Sequence, residues 1–154
     1  MSQILMLMLK LLFTLILLLN APVVTYAGPI VINELQALSF SAAIAGVPAS
    51  IVTAPADANA AVFDATGDIN LLLTASVVES SVFMDNGGTG SSNTISIGSW
   101  TFGGSLTDVG GSGTASFDAL GVISNMRIGA TAVVEADDNP GFYQGTATMR
   151  LVYQ

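Results

Sequence analysis

The sequence has no cysteine and no histidine, and only 3 of its 154 residues are basic. Without cysteine there is no disulfide, no thiolate nucleophile, no cysteine-ligated zinc, no iron–sulfur centre and no lipid-modified cysteine. Without histidine there is no imidazole base and no imidazole ligand. No segment sustains an apolar period of 3.6 residues, so the chain does not read as helical. The length supports one domain. An uncharged apolar run long enough to span a bilayer, about 20 residues, is missing too. The longest such run, Leu11 to Leu19, follows Lys10 and leads into NAPVVTYAG, with Thr25 and Ala27 where a signal peptidase reads small residues.

A positive residue, an apolar stretch and a small-residue site predict a helical secretory signal peptide over residues 1–27 and one domain over 28–154. Lys10 lies deep for a charged leader, and a start at Met6 or Met8 would restore the usual order. The competing reading is an uncleaved membrane anchor. The absent lipobox cysteine argues against a lipoprotein. The expected location is the periplasm, the cell surface or the extracellular medium. From Gly28 onward, two arginines stand against eleven acids and leave a formal charge of −9. Such a surface repels phosphate backbones and anionic lipid heads, so neither nucleic acid nor a membrane is an expected partner.

What is present is period-two alternation, bounded by Gly, Asn and Asp. Tyr143, Gly145, Ala147, Met149, Leu151 and Tyr153 share one face at the C-terminus, opposite Gln144, Thr146, Thr148 and Arg150. Met126, Ile128, Ala130, Ala132 and Val134 share another, and the acidic, Pro- and Gly-containing loop Glu135 to Gly141 lies between the two. The pair reads as a hairpin. Ala115, Phe117 and Ala119 alternate with polar neighbours. Ile95 and Ile97 give way to Trp100 and Phe102, a phase change near Gly98 that predicts a β-bulge. Ile69 to Val78 is more continuously apolar, as for a strand buried on both sides. Ala60 to Ala65, Ala49 to Thr53 and Ile30 to Leu35 bring the total to about eight short strands, which fits an all-β sandwich or barrel.

Candidate chemistry is sparse. The glycine-rich loops Asp85 to Asn93 and Gly103 to Gly113 lack the lysine and the following helix of a phosphate cradle. A serine nucleophile would have neither histidine nor lysine as base. A two-carboxylate glycosidase would have to draw on Glu34, Glu79, Glu135 or the aspartates, and nothing in the sequence pairs them. Two oxygen-rich clusters, Glu135 with Asp137, Asp138 and Asn139, and Asp85 with Asn86, are of the kind that holds calcium, although no EF-hand pattern is present. Trp100, Phe102, Phe142 and Tyr143 are the aromatics that a sugar platform would use. No catalytic, cofactor or metal residue is assigned, and the chain is expected not to be an enzyme. Its exposed faces are Thr, Ser, Asn, Gln and Gly. With no lysine after Lys10, strand edges are not blunted by charge and stay available for pairing with another chain.

Several stretches together carry a resemblance: ELQALSFSAAIAG, FDATGD, MRIGATAVV and GFYQGTATMRLVYQ. They resemble a bacterial secreted family, domain of unknown function 4402. Its turn, mid-chain and closing motifs correspond to Leu38-Ser39-Phe40-Ser41, Thr66-Gly67 and Phe142-Tyr143-Gln144-Gly145 with Tyr153, and Ser41 stands where that family usually has Gly. The resemblance implies an exported immunoglobulin-like antiparallel β-sandwich and no established activity. The same ending is similar to pilin-like subunits of the spore-coat and chaperone–usher type, in which an N-terminal extension donates a strand to the next subunit. A mature start at Gly28 leaves ten residues before Leu38, whereas a start nearer Ala21 leaves Pro22 to Gln36 as a longer arm. The expectation is a structural or surface protein, fimbria-like or of a matrix, joined to itself or to other surface proteins by strand pairing. The alternative is a small glycan- or calcium-binding module.

Overall fold

Alternating apolar residues close into a sandwich when two sheets turn those faces toward each other. The computed structural model describes residues 27–154; the expected signal peptide lies outside the described residues save for Ala27. In chain order the strands are β1 (Val31–Gln36), β2 (Ala49–Thr53), β3 (Ala61–Thr66), β4 (Leu72–Val77), β5 (Ser81–Asp85), β6 (Thr94–Gly104), β7 (Thr107–Asp108), β8 (Gly113–Ser116), β9 (Val122–Val134) and β10 (Met149–Tyr153), with a 3-10 turn at Ser91–Asn93. The first sheet runs β1-β3-β9-β6-β5, with β2 also paired to β9; the second runs β10-β4-β8-β7. Every pairing is antiparallel. The fold is an all-β antiparallel sandwich.

Strand β9 organises the first sheet. Met126, Ile128, Ala130, Ala132 and Val134 are all buried, as their alternation predicts. Strand β3 pairs with residues 122–128 of β9 and β2 with residues 130–134, end to end along one edge, while β6 takes the other edge. The predicted bulge in β6 is present. Its register against β9 shifts between Gly98 and Thr101, and Ser99 adopts φ 52°. That extra residue lets Ile95, Ile97 and Phe102 all face the core. A second bulge does the same in β9. Asn125 at φ 59° separates Ile123 from Met126, both inward, and its N–H donates to Asp64 Oδ1 at 2.8 Å.

Four expectations need correction. The last strand forms no hairpin with β9: it lies in the opposite sheet, on β4, and the chain from Glu135 to Thr148 crosses between the sheets with a lone bridge at Gln144 to Asp85. The strand is also shorter than its alternation, beginning at Met149, although Met149, Leu151 and Tyr153 do point inward while Arg150 and Val152 are exposed. Alternation declares which face is apolar, not which neighbour the strand takes. Second, β4 is buried on one face only. Leu73 and Ala75 are fully enclosed, whereas Ile69, Leu72 and Val78 are exposed, because among the described residues no layer covers the outside of the second sheet. Third, β8 stops at Ser116, and Ala119 is exposed. The Asp118 carboxylate accepts the N–H groups of Leu120 and Val122, both at 2.8 Å, and turns the chain there. Fourth, the described residues form ten strands; β5 and the two-residue β7 were not anticipated.

Candidate functional site

Burial divides the interior into two clusters. In the first, Leu73 and Ala75 of β4 and Phe117 beyond β8 pack against Phe102, Ile123, Met126 and Ile128 of the first sheet. This cluster lies between two sheets. The second is Ile95, Ile97, Ala130, Ala132 and Val134, all from β6 and β9. The second sheet does not reach it: β4 ends at Val77 and β10 begins at Met149. Its cover comes from Leu38, Phe40 and Tyr143 on coil segments, with Ile51, Val82, Met84 and Trp100 at its sides. An open groove of about 1210 Å³ results, with the coil segments 37–45 and 138–149 prominent in its lining.

The groove borders an unpaired strand edge. Val78 N–H donates to the Thr148 carbonyl and Gln154 N–H to the Leu72 carbonyl, which sets the phase of β10 on β4. Residues 148, 150, 152 and 154 therefore point their backbone groups at β4. Met149, Leu151 and Tyr153 turn theirs the other way, where no described strand lies. Met149 lines the groove. The start of β10 is held by Glu79, whose carboxylate accepts the Thr148 N–H at 2.9 Å. That hydrogen bond, with a contribution from the Thr148 hydroxyl, keeps the Glu79 carboxyl below its ordinary value. The Glu79 carbonyl meanwhile accepts the Trp100 indole N–H at 2.8 Å.

The remaining candidate residues fall as follows. The two oxygen-rich clusters are neighbours in space. Asn139 N–H donates to the Ser92 carbonyl at 2.7 Å, and Asn139 Nδ2 donates to Asn93 Oδ1 at 3.0 Å. Their side chains serve the backbone: Asp85 accepts Gly87 N–H, Asn86 accepts Gly88 N–H and Asp138 accepts Glu135 N–H. Among the described residues no three carboxylates converge as a cation site would require. Tyr143 donates to the Asn139 carbonyl at 2.6 Å, and burial, reinforced by the Asp138 charge, raises its hydroxyl above the ordinary tyrosine value. Phe102 is buried and Trp100 half-buried, so they do not form an exposed aromatic platform; Phe142 is exposed and lines the groove. Glu34 lines it as well, while Glu135 follows the end of β9 and is exposed. The groove itself was not read from the sequence. The signal that could have located it is the apolar and small run Ala37 to Ala45, too long and too unpatterned for a strand.

Neither a curated protein nor a solved structure matches the chain. A family model does: domain of unknown function 4402 (DUF4402) matches residues 25–153, and the chain belongs to that family.

Proposed function

We propose that the chain is an exported, non-enzymatic structural protein, a fimbria-like or matrix subunit that assembles by accepting an extended strand from a partner. The observation that supports this reading is the edge of β10, unpaired among the described residues, beside an apolar groove. A strand meets both needs at once. Its backbone satisfies the outward N–H and C=O groups of Met149 and Leu151, and every second side chain enters the groove. Burying one Val, Leu or Ile there contributes about 1.5–3 kcal/mol, so two or three such side chains offset the ordering of a short segment. A compact apolar ligand would fill the groove and leave the edge unpaired.

The test is titration of the labelled domain with short peptides that alternate valine and threonine, followed by amide NMR. Shifts at Met149, Leu151, Ile97 and Val134 are expected together. A peptide that moves none of these amides at millimolar concentration overturns the reading. Proteolysis of intact cells, with recovery of fragments of this chain, tests exposure at the surface.

A further inference from the structure

We infer that the strand entering this groove belongs to a different, basic polypeptide rather than to a second copy of the chain. The inference rests on the strand-accepting reading above and names the partner. The groove lining carries two carboxylates, Glu34 and Asp138, and among the described residues no lysine or arginine lines it. Glu34 sits opposite Phe63 in the β1–β3 register, which turns it to the inner, groove side of the sheet. The two arginines of the described chain are placed elsewhere. Arg127 donates to the Asp57 carbonyl, and Arg150 points outward from β10.

A second copy cannot supply the missing charge. From Gly28 on, it brings another −9, and its edge strands are poor in cations: β1 carries Glu34 and no base, β5 Asp85 and no base, β7 Asp108 and no base, and β10 only Arg150, which points outward. Two such chains repel before they meet. A partner strand with alternate apolar residues and lysine or arginine on it fits both the apolar lining and its two carboxylates. Exposed pairs of this kind are individually weak, so the charge selects the partner while apolar burial and backbone pairing hold it.

The experiment compares three ten-residue peptides that alternate valine and threonine and differ at two positions, which hold Lys, Gln or Glu. Binding to the domain is measured by fluorescence anisotropy at low and at about 0.5 M salt, with sedimentation of the free domain alongside. The Lys peptide is expected to bind about threefold to tenfold more tightly than the Gln peptide, with the Glu peptide weakest. The preference should shrink at high salt and fall further in Glu34→Gln, an exposed-site variant whose fold is checked by circular dichroism. Equal affinities for the three peptides overturn the basic-partner inference while leaving strand acceptance standing. Concentration-dependent dimers that lose the Lys peptide's binding also overturn it, in favour of a second copy. Absence of binding by all three, with Met149 and Leu151 amides unmoved, overturns the strand-accepting reading itself.

Discussion

At Gly67 there is no room for a methyl group: a Cβ would meet the Tyr153 hydroxyl at 2.5 Å and the Phe117 ring at 2.7 Å. Those two side chains tie the sheets together. Phe117 is almost wholly enclosed, its ring centroid 5.7 Å from that of Tyr153, and the Tyr153 hydroxyl accepts the Asp68 N–H at 2.7 Å. Gly67→Ala should therefore cost about 1–3 kcal/mol in urea denaturation, the usual result of overpacking, and Phe117→Ala about 3–5 kcal/mol. Acidic residues have an equally local job. Seven of the eight aspartates accept a backbone N–H, all but Asp137, which is why an acidic chain has so little converging chemistry. Glu79 does the same at Thr148. Because its folded pKa is depressed, its contribution is present above the unfolded carboxyl value and disappears as pH falls through the lower folded one. Urea midpoints of the wild type and Glu79→Gln, taken from pH 7 down to pH 3, should accordingly converge toward the acid end. A gap that stays constant with pH would show that the Thr148 contact does not depend on the charge.

Each of the two long strands carries one residue in a left-handed conformation, Ser99 in β6 and Asn125 in β9. Asparagine tolerates that conformation and a β-branched residue does not. Asn125→Val should lower stability by about 1–2 kcal/mol while Asn125→Gly stays near the wild type, measured by thermal or urea unfolding. These bulges also show how far the fold could be read from residues alone. The phase change from Ile97 to Trp100 was visible because inward residues on both sides of it are large and apolar. The buried face of β9 was visible for the same reason. The pairing of β10 was not: Met149, Leu151 and Tyr153 declare an inward face that either sheet would satisfy, and only the match with Leu73 and Ala75 on β4 decides. Strand β5 was missed because its one aromatic, Phe83, points outward while Val82 and Met84 turn in, so its most apolar residue contradicts its phase. The groove is still less legible. It arises where β4 and β10 end short of β6 and β9, and strand ends are set by turn contacts such as Glu79 on Thr148 rather than by periodicity.

Taken whole, the molecule is a sandwich at one end and a covered single sheet at the other, and this asymmetry predicts uneven stability. Around Leu73, Met126 and Phe117 the apolar surface is enclosed by strands on both sides. Around Ile97, Ala132 and Val134 the cover comes from coil residues Leu38, Phe40 and Tyr143, and the groove beside them is lined by the exposed Ile44 and Phe142. Opening the second region disrupts few strand hydrogen bonds outside β2 and β5, since neither wall of the groove forms a continuous ladder. Local opening draws on regions with few enclosed contacts and weakly paired backbone. Amide hydrogen exchange on the free domain should therefore show residues 49–53 and 82–85 exchanging before residues 72–75, 102 and 126–128. Those latter amides should approach the global unfolding limit. A strand bound in the groove would erase much of the difference by giving the second cluster the layer it lacks. Uniform protection across both ends of the free domain would instead mean that the coil walls already close the interior, leaving no vacancy for a partner strand.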